Sequence, residues 1–263
     1  MTCNDNKLDK LDFSGCTQLE ELNCSNNNIS GLDLSASESV TTLNCSGNPL
    51  LFAKLAEGKT LSSCVLKPVK TYMNRGETLD LAALGTDSTR VEDIVRGKLE
   101  NGVLVLDKCP GKMTYTYDID GNNKLECTVE FTIPIDEEHF PDEYFRQFIT
   151  DNYAKFAAGE MLSESEISSV NDMSITNQQY ILYFTGIEYF TELRKFEIEN
   201  IVLAEELDLS KNKKLESIDA NTGGHGRGVK KINVKGLDKR KDLNLHHHSL
   251  LELDCSGCTS LKK

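Results

Sequence analysis

No run of apolar residues in this sequence is long enough to span a membrane. Its first residues contain no apolar stretch of the kind that heads a secreted precursor, so neither membrane insertion nor a signal peptide is expected. Tryptophan is absent and there are only five prolines. Positive charge is scarce: 29 Lys and Arg stand against 42 Asp and Glu, a net charge of −13. Such a surface repels phosphate backbones, and no nucleic-acid partner is expected. No spacing points to a Ser-His-Asp or Cys-His arrangement, so catalysis is not expected either. The rest of the composition is that of a folded protein. With 38% hydrophobic and 27% charged residues the chain can bury a core and is too mixed to be disordered. Its 263 residues exceed the usual size of one domain, so two or more units are expected.

The sequence has a period. Cys3, Cys24 and Cys45 recur every twenty-one residues, as do Asn6, Asn27 and Asn48, and Leu8, Ile29 and Leu50. The full unit reads Leu19-x-x-Leu22-x-Cys24-x-x-Asn27-x-Ile29-x-x-Leu32-x-Leu34. The next reads Val40-x-x-Leu43-x-Cys45-x-x-Asn48-x-Leu50, and a looser turn fits Leu61-x-x-Cys64-x-Leu66. In such a unit Leu-x-Cys is a short strand whose first and third side chains point inward. The Asn three residues later bonds the backbone of a tight turn that has no ladder partner of its own. The second Leu-x-Leu returns the chain along the opposite face. One unit cannot bury its apolar edge alone, so neighbours must stack.

Leu22-Asn-Cys24-Ser-Asn-Asn27-Asn-Ile29 and Leu43-Asn-Cys45-Ser-Gly-Asn48-Pro-Leu50 resemble the leucine-rich repeats of internalin-type bacterial surface proteins, in which cysteines form a ladder. The resemblance covers residues 1–66. It implies a solenoid with a broad curved surface, a protein partner, and a place at the bacterial cell surface or outside the cell.

The period breaks after Leu66. Thr78-Leu-Asp-Leu81, Gly102-Val-Leu-Val-Leu106, Met113-Thr-Tyr-Thr-Tyr117 and Leu125-Glu-Cys-Thr-Val-Glu-Phe-Thr-Ile133 read as strands, with a turn at Asp120-Gly121-Asn122-Asn123. Residues 67–135 are therefore expected to form a small sandwich, similar to the immunoglobulin-like modules of bacterial surface proteins. Residues 136–170 look helical. One helix is expected from Phe140-Pro141-Asp-Glu through Phe145, Phe148 and Ile149, and a second from the capping box Ser163-Glu-Ser-Glu166. This segment resembles the helical cap of bacterial leucine-rich repeat blocks. The loop that is rich in Asp in that family is here Ala154-Lys-Phe-Ala-Ala-Gly159-Glu-Met-Leu162, so no calcium is expected.

The repeat returns over 171–263. It runs through Ile187-x-x-Phe190-x-x-Leu193-x-x-Phe196-x-Ile198, Leu207-Asp-Leu209, Leu215-x-x-Ile218-x-Ala220, Ile232-x-Val234, Leu243-x-Leu245 and Leu253-Asp-Cys255. The glycine-rich Asn221–Gly228 reads as a surface loop carrying the extra length of one unit, with no phosphate-loop Lys-Ser/Thr. The expected fold is thus mixed but mainly β: two leucine-rich repeat blocks with a small immunoglobulin-like sandwich and a helical cap between them.

Several motifs invite chemistry. Cys255-Ser-Gly-Cys258 has the spacing of a redox or zinc pair. It also overlays Leu11-Asp-Phe13-Ser-Gly-Cys16, which makes the first position an apolar core slot. His246-His247-His248 falls on the turn after a strand, with His248 at the ladder Asn position. A structural or exposed role competes there with adventitious nickel or zinc. Cys3, Cys24 and Cys45 read as buried, inward-facing free thiols, and no cofactor or metal is expected. Asp12, Asp33, Asp208 and Asp254 fall at outward positions and read as a solvated acidic stripe.

The function expected is non-catalytic binding of a protein through the outward residues beside the inner strands: Glu21, Asn23, Ser25, Thr42, Asn44 and Ser46, with Glu197, Asp219 and Asn244 in the second block. Plain solvent exposure is the alternative for each. The rival functions are a structural spacer in a larger surface protein and a glycan-binding adhesin. A contiguous aromatic or apolar patch would favour binding, and a uniform polar face the spacer. Read head to tail, Leu261-x-x-Met1-x-Cys3-x-x-Asn6 completes the repeat, so head-to-tail self-association through uncapped ends, or a longer parent array, is also expected.

Overall fold

The computed structural model describes residues 1–73, 78–155, 160–176, 180–200, 205–221, 228–239, 242–246 and 250–260. The chain is mainly β and forms a β-solenoid. It divides into two compact units, Met1–Thr132 and Ile133–Lys263.

In the first unit, β1 (Glu21–Asn23), β2 (Gly31–Leu34), β3 (Thr42–Asn44), β4 (Phe52–Leu55) and β5 (Ser63–Val65) belong to stacked coils. β1, β3 and β5 pair in parallel, with Leu22 opposite Leu43 and Leu43 opposite Cys64, a step of twenty-one residues. β2 and β4 form the return sheet, Leu32 opposite Ala53. Parallel pairing follows from the repeat, because each coil enters its strand in the same direction one strand-width further along, roughly 4.8 Å. Leu22, Cys24, Ile29, Leu32 and Leu34 of one coil and Leu43, Cys45 and Leu50 of the next are all buried. Each such side chain contributes about 1.5–3 kcal/mol of burial.

Two antiparallel sheets follow. β6 (Thr71–Met73), β7 (Thr78–Asp80), β8 (Val91–Val95), β9 (Gly97–Glu100), β10 (Val103–Leu106), β11 (Gly111–Asp118) and β12 (Lys124–Phe131) are ordered β7-β10-β9 and β6-β12-β11-β8, with only β6 against β12 parallel. β11 alternates throughout and β12 as far as Val129, beyond which Glu130 is buried too: Met113, Tyr115 and Tyr117 face Val129, Cys127 and Leu125 inside, together with Leu79, Leu104 and Leu106. The same core reaches the coils, where the Tyr115 hydroxyl donates to the Leu51 carbonyl at 2.8 Å. β6, β8 and β9 were not among the expected strands. β8 carries Glu92-Asp93 mid-strand and a register shift, and its pattern does not alternate.

The second unit opens with β13 (Ile133–Pro134), α1 (Glu143–Tyr153), β14 (Met161–Leu162) and α2 (Glu164–Ser169). α1 begins at Glu143 because Asp142 is its cap, accepting from the Phe145 N–H at 2.9 Å. Phe145, Phe148 and Ile149 form its buried stripe. α2 has the capping box expected at Ser163 and Glu166. Phe145 meets Phe184 edge-on at 5.4 Å, and Phe184 meets Phe196 at 5.9 Å, so aromatic rings seat α1 on the first coil.

Coils then continue through β15 (Asp172–Thr176), β16 (Lys195–Glu199), β17 (Glu206–Asp208), β18 (Ser217–Asn221), β19 (Lys231–Asn233), β20 (Asp242–His246) and β21 (Glu252–Asp254). β15-β16-β18-β20 and β17-β19-β21 are two parallel sheets. β15 was overlooked in the sequence, although Val170-x-x-Met173-x-Ile175 fits the repeat with no Leu or Cys; all three are buried. Leu253 and Cys255 are exposed, which corrects the expectation of a core slot: Phe13 at the matching position is buried, whereas no described strand covers the far side of β21.

Candidate functional site

The turns come first, because they decide which outward residues are available. At several of them an Asn or Asp side chain accepts from the backbone N–H two residues on. Asn23 does so for Ser25, Asn44 for Ser46, Asp12 for Ser14, Asp33 for Ser35, Asp208 for Ser210 and Asp254 for Ser256, at 2.8–3.2 Å. Asn23 and Asn44 also accept from the Ser25 and Ser46 hydroxyls, each at 2.8 Å. The acidic positions Asp12, Asp33, Asp208 and Asp254 are therefore turn-forming side chains within each unit. Donors from Ser14 hold the Asp12 carboxyl below its ordinary value, and Ser256 does the same for Asp254.

The nine expected surface residues fall into two groups. Glu21 and Thr42 are opposite one another on β1 and β3, as are Asn23 and Asn44. Glu21 is exposed, Thr42, Asn23, Asn44 and Ser46 are half-buried, and Ser25 is buried, so Ser25 does not belong to an accessible surface. Glu197, Asp219 and Asn244 lie in one row across β16, β18 and β20, all half-buried. Asn244 donates to Asp219 at 2.9 Å, and Lys195 pairs with Glu197 at 3.3 Å. Both rows are polar, and neither contains an exposed aromatic side chain.

Three exposed tyrosines, Tyr144, Tyr180 and Tyr183, are in the second unit, against Tyr72 in the first. Tyr144 on α1 and Tyr180 are 46% and 59% exposed, with ring centroids 5.2 Å apart. Leu182 and Tyr183 continue the exposed apolar stretch, and Tyr183 lines a recess of about 340 Å³ with Phe184, Thr185, Glu188, Glu206, Asp208 and Lys211.

Asp142 organises this segment. One of its carboxylate oxygens caps α1, and the other accepts from the Leu182 and Tyr183 N–H groups at 2.7 and 3.2 Å. The Leu182 carbonyl accepts from Glu205 N–H, and Tyr183 bridges Glu206 in parallel, so the segment is one further rung beside β17. Gly186 then turns the chain with φ 103°, and a Cβ there would lie 2.3 Å from the Phe140 ring. Within the recess Glu188 accepts from Gly186 N–H at 2.7 Å, and Asp208 is held by Ser210 and Asn233. Among the described residues the Glu206 and Lys211 side chains have no hydrogen-bond or ion-pair partner. Sequence reading missed the site because Tyr144, Tyr180 and Tyr183 are outside the periodic positions and only the fold brings them together.

The inner thiols are protected. Cys24 and Cys45 are buried, whereas Cys3 is half-buried, which corrects the expectation for that residue; among the described residues its strand partner is the Cys24 coil. Burial pushes the Cys24 and Cys64 thiols up to about 11 and raises Cys45 further, with the stacked neighbouring thiols adding to the effect at Cys24 and Cys45. Among the described residues no group of three or more His, Cys, Asp and Glu side chains converges on a metal position. His247 and His248, most of the glycine-rich 221–228 loop, residues 156–159 of the expected calcium-free loop, and Leu261 at the expected self-association end all lie outside the described residues. Among the described residues no helix is long and apolar enough to cross a membrane.

No family model matches the chain, and no curated protein matches it in sequence.

Proposed function

We propose that the chain is a non-catalytic binding solenoid of the leucine-rich repeat type, which engages a protein partner at the bacterial surface or after secretion. The observation that carries this reading is the run of exposed apolar side chains Tyr180, Leu182 and Tyr183, with Tyr144 packed on Tyr180 and Tyr183 lining a recess. Exposed aromatic side chains on a rigid scaffold are the usual anchors of protein interfaces. The twenty-one-residue rungs of β1, β3 and β5 support the leucine-rich repeat reading. The two sheets sharing one core over residues 71–131 support an immunoglobulin-like module beside them.

The test is saturable binding of the full chain, immobilised, against arrays of extracellular proteins and of glycans. Binding to a protein that falls when Tyr180→Ser and Tyr183→Ala are introduced together supports the reading. Saturable binding to glycans alone favours the adhesin. No saturable binding on either array favours the spacer.

A further inference from the structure

We infer that the recess and the tyrosine patch form one composite site for a cationic polypeptide segment, with a Lys or Arg side chain entering the recess and an apolar neighbour lying on the tyrosines. The inference rests on the protein-binding reading above and assigns that partner its chemistry.

Charge is the first argument. Glu188, Glu206 and Asp208 face the recess with a single ammonium, that of Lys211, against them. The nearest other cation in register, Lys231 opposite Glu206, is engaged with Glu252 at 3.2 Å on the side away from β17. An incoming cation meets an excess of negative charge, on a chain whose net charge is already −13. The carboxylates also divide by duty. Glu188 and Asp208 are tied to Gly186, Ser210 and Asn233 and are fixed in place, whereas Glu206 is free to take a new donor.

Shape and ring chemistry are the second argument. Tyr183 is exposed and also lines the recess, so a cation among the carboxylates would have an aromatic side chain beside it. Ring and cation attract through the ring quadrupole, and a guanidinium also stacks on it. The recess, about 340 Å³, takes one long side chain and is too small for a folded loop. The tilted Tyr144–Tyr180 pair, with Tyr180 three residues along the chain from Tyr183, offers a hydrophobic surface for a neighbour of the cation. The rung that carries Tyr183 is pinned by Asp142 at two N–H groups, so the site is largely formed before the partner arrives.

The experiment selects a random dodecapeptide library on the immobilised full chain, then titrates the enriched peptides by fluorescence anisotropy. Maltohexaose and chitohexaose serve as glycan probes. The expected result is enrichment of Lys or Arg next to Leu, Phe or Tyr. Binding should weaken about tenfold or more with Glu206→Lys and with Tyr180→Ser, and should weaken as salt rises. Both substitutions are at exposed positions, and an unchanged melting curve shows that the variants fold. Enriched peptides that are acidic or neutral, or that bind both variants as well as the parent, overturn the composite site but leave the protein-binding reading standing. Binding of the oligosaccharides with no enriched peptide overturns both.

Discussion

The side-chain amide of Asn48 donates to the carbonyl of Cys24, twenty-four residues earlier and one coil back, at 3.0 Å. The same nitrogen donates to Cys45 in its own coil at 3.0 Å, and the Asn48 side-chain oxygen accepts from the Ile29 N–H. Asn27 repeats the arrangement with Cys3, Cys24 and Leu8. The Cys24 carbonyl therefore takes an amide from each of two coils, and side chains extend the inter-coil hydrogen bonding past the ends of the three-residue strands.

Replacing Asn48 by alanine should be among the most damaging single changes in the first unit. Asn48 is fully buried. Its removal strands a buried backbone N–H and weakens two carbonyl contacts, at about 1–3 kcal/mol for each group left unpaired. Denaturant titration should show a loss of about 3 kcal/mol or more. Asn48→Asp should be nearly as harmful, since a carboxylate accepts from Ile29 but cannot donate to Cys24 and Cys45.

Alkali should destabilise the coils through their thiols. The folded state raises Cys24 and Cys64 from 9.0 to about 11, so it disfavours the thiolate that the unfolded chain forms more easily. Stability from this source is complete below pH 9.0 and is lost as pH rises through about 11. Melting temperatures measured across that window should fall for the parent and fall less for Cys24→Ala, which starts lower but has one fewer thiol to ionise. Alkylation of Cys24 in native protein should be slow throughout the plateau.

Acid should act on Asp120. Burial alone would raise its carboxyl, but N–H groups of Leu61, Asn123 and Asn122, with the Asn123 amide, outweigh burial and hold it below 3.8. A depressed carboxyl stabilises fully above its unfolded value, and that support disappears as pH falls through the lower folded value. Asp120→Asn should flatten the part of the acid unfolding curve below about pH 4. Because Asp120 ties the β11–β12 turn to the Leu61 coil, the variant should also raise hydrogen exchange at the Leu61 amide.

Asp142→Ala should separate scaffold from site. It removes the α1 cap and the anchor of Leu182 and Tyr183 in one change, and should cost about 1–3 kcal/mol by denaturant titration. Asp142→Asn keeps an oxygen for the cap. It should recover most of the helix while leaving the Tyr183 rung loose, seen as faster exchange at the Leu182 and Tyr183 amides.

Much of the solenoid was legible because its physics is local. Leu22, Cys24 and Asn27 occupy positions whose burial and bonding repeat at a fixed step, so one coil explains the next. The same regularity misled at Cys255, where the pattern holds but no described neighbour supplies burial. It also concealed β15, whose Met173 and Ile175 do the work of Leu and Cys. The tyrosine site left almost no trace. Tyr144 and Tyr180 are thirty-six residues apart and meet because Asp142, an ordinary helix cap in sequence, also grips the Leu182 and Tyr183 amides. Long-range contacts made by one side chain with two duties have no period to betray them.

The rungs are strict in register while the chain between them is not. Leu22 meets Leu43 after twenty-one residues, Phe196 meets Ile218 after twenty-two, and Ile218 meets Leu243 after twenty-five. Length is taken up in the bends and never inside a strand, where a one-residue slip would turn every inward side chain outward. Inheritance therefore acts on this molecule in two sizes. A bend can be lengthened by a few codons, whereas a single-codon insertion within a rung turns the rest of that rung inside out and breaks its match to the rungs on either side.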